Sequence, residues 1–179
     1  MTLEEFIIAV VRVLGSLPVL WWPFPGAIIA VLTDLSDLFL RSYIDAGGVH
    51  DYQELDKWLD QVYMLTFLAV ALRWQPAPRN VAVVLYAYRL IGFVTFEVTG
   101  TREVLLFFPN LFELWFIFVA GVHFFKVDYP FTPRRIAYAL VPLLALKLFQ
   151  EYALHFGQWL EGFTAKEAVD AIWDFLTPF

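Results

Sequence analysis

Four long apolar runs dominate this chain: Leu59–Trp74, Val81–Val98, Val104–Phe125 and Ile136–Leu154. Each is close to the length a helix needs to cross the hydrocarbon of a bilayer, about 20 mostly apolar residues. Lipid offers the backbone no water to bond, so a spanning segment of this kind must satisfy its own N–H and C=O groups as a helix. The pieces between the runs are short and carry the breakers, as in RWQPAPRN with Pro76 and Pro78. Composition points the same way. The chain is 60% hydrophobic and 17% charged, against about 45–50% and about 25% in an ordinary soluble domain. A soluble fold of 179 residues still exposes about 30% of its unfolded surface, which leaves too little interior for so much apolar material.

The first forty residues are more broken. An apolar stretch from Leu3 to Leu17 is followed by LPVLWWPFPG, whose Pro18, Pro23 and Pro25 interrupt any helix. Trp21 and Trp22 have the amphipathic rings that collect at membrane–water interfaces. Reciprocal capping pairs are expected at Thr2/Glu5, Asp51/Glu54 and Thr164/Glu167. Thr132 followed by Pro133 opens another helix, since proline at the first helical position gives up no hydrogen bond. Pro109 marks a kink or restart, and Pro142 is tolerated inside its helix. The expected fold is an all-α integral membrane protein with five or six transmembrane helices. It forms one domain over residues 1–179, with helices at 1–22, 25–41, 52–74, 80–98, 103–125 and 133–156. A final helix over residues 165–176 reads as amphipathic and interfacial, too short to span.

A net charge of −6 and the lack of any basic block argue against nucleic acid. With no cysteine, disulfides, thiolate metal sites and Cys nucleophiles are excluded. The N-terminus starts acidic and holds Arg12 inside its apolar run, unlike a signal peptide. Arg12 and Glu97, nearer to helix ends, are expected to snorkel.

Six of the aspartates fall between positions 34 and 60. Asp34 and Asp37 are three apart near the end of one apolar helix, and Asp56 and Asp60 are four apart at the start of the next. Such neighbours share a helix face, so two antiparallel helices bring four carboxylates toward one membrane edge. Hard divalent cations such as Mg²⁺ take oxygen ligands of this kind. The same spacings also arise from a solvated loop and an acid-capped helix N-terminus, where negative charge opposes the dipole. The run TDLSD, then Arg41, then LDKWLD resembles the signature of the CDP-alcohol phosphotransferases, membrane enzymes of phospholipid synthesis. Leu38 and Tyr52 stand where that signature has glycines, and the interval from Asp37 to Asp56 is one residue longer. The resemblance implies metal binding by Asp34, Asp37 and Asp56, with Asp60 as the catalytic base.

Charges also sit inside the apolar runs: Arg89, Glu113, Lys147 and Glu151. Charge is costly in lipid, so these side chains should face the bundle interior, each other or a partner. Arg89 and Glu113 are candidates to pair between helices, and Lys147 and Glu151 along one helix. His123 and His155 end successive antiparallel helices and so lie on opposite sides, each at most a single ligand. The expected function is a non-catalytic membrane subunit that packs within or scaffolds a larger complex. Its partners are the lipid bilayer and other membrane subunits, and no cofactor is expected. The alternatives are a Mg²⁺-dependent CDP-alcohol phosphotransferase-like enzyme, divergent or inactive, and a small transporter built on Arg89 and Glu113.

Overall fold

The computed structural model describes residues 3–43, 52–100, 104 and 107–151; the side chains of residues 4, 37–43, 52–57 and 151 lie outside that description. The described residues form six α-helices and no strand. These are α1 (Leu3–Ser16), α2 (Pro23–Tyr43), α3 (Tyr52–Ala71), α4 (Pro76–Thr99), α5 (Leu111–Phe124) and α6 (Pro133–Glu151). The described residues are all-helical, as the long apolar runs imply. The capping pairs at Thr2, Asp51 and Thr164, the helix over 165–176 and His155 lie outside the described residues.

The prolines act where physics places them, with several shifts from the sequence reading: the helix expected over 25–41 starts at Pro23, and the one expected over 103–125 is seen as Leu111–Phe124. Residues 1–22 do not make one helix. The chain leaves α1 at Ser16 and makes a 3₁₀ turn over Leu17–Leu20, with Pro18 in its first positions. α4 starts at Pro76 instead of after the PAP stretch, with Gln75 as its N-cap. Pro76 and Pro78 both fall in the first turn, where the backbone N–H has no helical partner to lose. The break lies before them, over residues 72–75. Pro109 separates an upstream stretch from α5, which restarts at Leu111 behind Asn110. At α6, Thr132 Oγ1 accepts the Arg135 N–H at 3.4 Å, and Pro142 sits within the helix.

α3 is the centre of the molecule, packing against α1, α2, α4 and α5. Its C-terminal half meets α5 in an aromatic core. Phe67 stacks on Phe116 at 4.2 Å between centroids, and Trp74 stacks on the same Phe116 at 5.1 Å. Trp115, fully buried, donates its Nε1–H to the Pro78 carbonyl at 3.1 Å, so its one polar atom is satisfied. Gly26 is buried where α2 meets the 3₁₀ turn, and a Cβ there would land on the backbone of Pro18 and Val19. Only glycine allows that approach.

Among the described residues one helix, α4, is long and apolar enough to cross a membrane, and only 17% of its apolar window is buried inside the protein. Its 24 residues extend about 36 Å at 1.5 Å per residue, more than the roughly 30 Å of a bilayer core. α2, α3 and α5 contribute shorter apolar stretches.

Candidate functional site

The main polar feature of the interior joins three helices. Arg12 of α1 is buried, at 4% exposure, and its Nη2 donates to Asp60 Oδ1 of α3 at 2.6 Å. The same nitrogen donates to Asp34 Oδ1 of α2. Asp34 is 31% and Asp60 19% exposed, so the carboxylates reach the edge of the packed region while the guanidinium closes its inner side. Local sequence allows this approach. Gly15 lies one turn beyond Arg12, and a Cβ there would overlap the Thr33 side chain next to Asp34. α1 and α2 can therefore close tightly beside the ion pairs. Arg12 is thus not a snorkelling residue but the hub of a triad.

The four aspartates singled out from the sequence divide accordingly. α2 and α3 bring Asp34 and Asp60 to one point, and the group between them is the Arg12 guanidinium. Asp37 and Asp56 belong to the same two helices, and their side chains lie outside the described residues. Among the described residues, no group of three or more His, Asp or Glu side chains is placed to hold a metal ion.

A second polar cluster lies one turn further along α3. The Tyr63 hydroxyl donates to Glu113 Oε2 at 3.2 Å. Asn110 Nδ2 donates to the same carboxylate at 3.1 Å and to the Tyr63 oxygen at 3.2 Å. Asn110 is thus the N-cap of α5 without capping through its side chain; instead its amide ties α5 to α3. Its Oδ1 is buried without a partner. Arg89 does not bond Glu113. Its Nη1 donates to the Phe108 carbonyl at 2.8 Å, and Tyr88 on the same helix donates to the Phe107 carbonyl. Both side chains of α4 thereby hold the backbone that precedes α5, whose carbonyls no helix satisfies.

Lys147 is buried on α6 and donates to Gln150 Oε1 at 3.1 Å; the side chain of Glu151 lies outside the described residues. His123 is exposed at the end of α5, with its ring 5.9 Å from Trp74 and 6.2 Å from Phe131. Two residues of these clusters escaped the sequence reading, Tyr63 and Asn110. Their signal was present but faint: an asparagine directly after Pro109 and a tyrosine three residues after Asp60. No family model, no curated protein and no solved structure matches this chain.

Proposed function

We propose that this chain is a multi-pass integral membrane protein acting as a non-catalytic subunit that packs within a larger membrane complex. The observation that carries the reading is the wide apolar exposure on the outside of a bundle whose core is already apolar. Large apolar residues are exposed on α1, α2, α4 and α6, among them Leu14, Leu32, Val84, Val94 and Val141. Arg12, Asn110 and Lys147 are buried. In water, exposed apolar patches this wide drive association. Lipid requires the arrangement seen here. α2, α3 and α6 run 21, 20 and 19 residues, about the length a span needs; among the described residues α4 alone is apolar over that length, and the multi-pass reading rests on the apolar exposure of the others. The buried polar groups largely bond one another, which supports a structural role for them.

A second reading draws on one specific observation, the convergence of Asp34 and Asp60. That convergence accords with the CDP-alcohol phosphotransferase resemblance, in which Asp34, Asp37 and Asp56 hold Mg²⁺ and Asp60 is the base. It requires Arg12 to withdraw, because a cation bridging Asp34 and Asp60 competes with the guanidinium for the same oxygens.

Extraction of the native membrane in mild detergent, followed by the mass and composition of the particle that carries the chain, separates the two. A large particle with defined partners is expected. A particle of this chain alone that releases CMP from a CDP-linked lipid with Mg²⁺, and loses that activity in Asp60→Asn, overturns the subunit reading.

A further inference from the structure

Three connections meet at one end of the bundle: Leu17–Trp22 between α1 and α2, residues 72–75 between α3 and α4, and residues 125–132 between α5 and α6. Ring contacts fix their proximity. Phe24 lies 5.4 Å from both Phe124 and Phe125, joining the start of α2 to the end of α5. Trp74 lies 5.9 Å from His123, joining the end of α3 to the same place. Phe131 lies 6.2 Å from His123, bringing in the approach to α6.

The charges at this end are one-sided. Arg73, Arg79, Lys126, Arg134 and Arg135 belong to the second and third connections and the helix turns that flank them, against a single carboxylate, Asp128; the first connection carries no charge. All but Arg79, which is half-buried, are exposed. Large aromatics are exposed beside them, with Trp21 and Trp22 at 68% and 67% exposure and Phe125 at 65%. Two of the arginines lie over rings of their own segment, Arg134 at 5.5 Å from Tyr138 and Arg135 at 5.8 Å from Tyr129. At the opposite end, α1 begins among Glu4 and Glu5, and α4 ends near the exposed Glu97.

Exposed tryptophan and phenylalanine beside arginine and lysine match the headgroup layer of a bilayer. The rings sit at the level where acyl chains meet headgroups, and the cations reach the phosphates. A soluble acidic partner would meet the charges but leave the tryptophans exposed to water. We infer that the connection end of this protein is a basic–aromatic rim that binds the headgroups of anionic phospholipids in one leaflet. This inference rests on the membrane reading above and adds the lipid class and the end of the molecule that meets it.

The test reconstitutes the full-length chain into vesicles of equal parts phosphatidylcholine and phosphatidylglycerol, re-extracts it gently, and quantifies the lipid that stays bound. Anionic lipid should be enriched on the order of tenfold at low salt, the effect of one or two cations each engaging a phosphate. Raised salt should reduce the enrichment, because exposed charges are screened. Changing Arg73, Arg79, Lys126, Arg134 and Arg135 together to Gln should abolish it. Changing the four arginines to Lys should preserve it, as should Arg41→Gln with Lys57→Gln at the other end. Bound lipid that mirrors the vesicle composition overturns the inference, as does enrichment that survives the fivefold Gln change. Competition by inorganic phosphate at equal concentration also overturns it, since the rim would then recognise free anions. If the fivefold variant does not fold, the salt response of the unaltered chain decides. A chain that enters no vesicle sinks the membrane reading itself, an outcome distinct from entry without lipid preference.

Discussion

α3 is buried along two stretches that are held in opposite ways. Around Asp60 it meets α1 and α2 through a guanidinium shared by two carboxylates. Around Phe67 and Trp74 it meets α5 through stacked rings and almost no polar atoms. The two differ in what they demand. Aromatic packing tolerates small shifts and gains from every contact, with ring pairs contributing about 0.5–1.5 kcal/mol beyond the area they bury. The ion triad has little net stabilising value, because desolvation offsets attraction, but it is severe toward errors: a charge left without its partner is costly. The aromatic stretch therefore supplies adhesion, and the triad specifies which faces of α1, α2 and α3 meet. Tyr63 lies between them and combines both features, a ring 5.4 Å from Phe67 and a hydroxyl bonded to Glu113.

The largest effect that breaks the comparison is expected from Arg12→Leu. It leaves Asp34 and Asp60 facing each other without a cation, at a cost of about 3–5 kcal/mol. Thermal unfolding in detergent should show a large drop in midpoint. Adding Asp34→Asn and Asp60→Asn to Arg12→Leu should restore most of it, because replacing a buried ion group whole is often neutral. Failure of that rescue would mean that Arg12 packs through its stem and not its charge. Phe116→Ala in the aromatic stretch should also cost about 3–5 kcal/mol, yet no second substitution of a polar group should rescue it. That asymmetry is the sharpest distinction between the two stretches.

Gly15→Ala comes next. Its methyl group meets Thr33 beside the triad, so a loss of about 1–3 kcal/mol from overpacking is expected. Thr33→Ala in the same chain should recover part of it, read by the same unfolding midpoint. The smallest effect belongs to Tyr63→Phe, which keeps the ring and removes one hydroxyl from Asn110 and Glu113. About 1.5 kcal/mol is expected, the low end for a hydrogen bond to a carboxylate, because Asn110 still donates to Glu113. A loss as large as that from Arg12→Leu would show that the Tyr63 cluster, not the triad, fixes the helix faces.

The helices were legible in the sequence because their signals are local. Thr132–Pro133 starts a helix by chemistry confined to one turn, and Pro109 ends a stretch by its own missing N–H. The start of α4 was read too late because two prolines in a row look like a break, although both fit the first turn. The partners of buried charges were far less legible. Arg12 meets residues 22 and 48 positions away, so its role depends on how three helices stack and not on any spacing within one. Arg89 and Glu113 look like natural mates by charge, yet each bonds neutral groups instead: the Phe108 carbonyl for one, Tyr63 and Asn110 for the other. Backbone carbonyls before a restarted helix are strong acceptors that no side-chain pattern announces. The sequence offers Asp34 and Asp60 only as members of a set of four carboxylates, and the cation they meet lies in the first helix.

The central claim is that the exposed apolar faces lie in lipid and the connection end lies at the water interface. The chain has no cysteine, so single cysteines can be placed at will and labelled in intact membranes with a water-soluble maleimide. Val84→Cys and Ile91→Cys on the exposed side of α4 should stay unlabelled, and Lys126→Cys should label fully from one side of the membrane. Labelling of Val84→Cys and Ile91→Cys as fast as Lys126→Cys would place α4 in water and contradict the account.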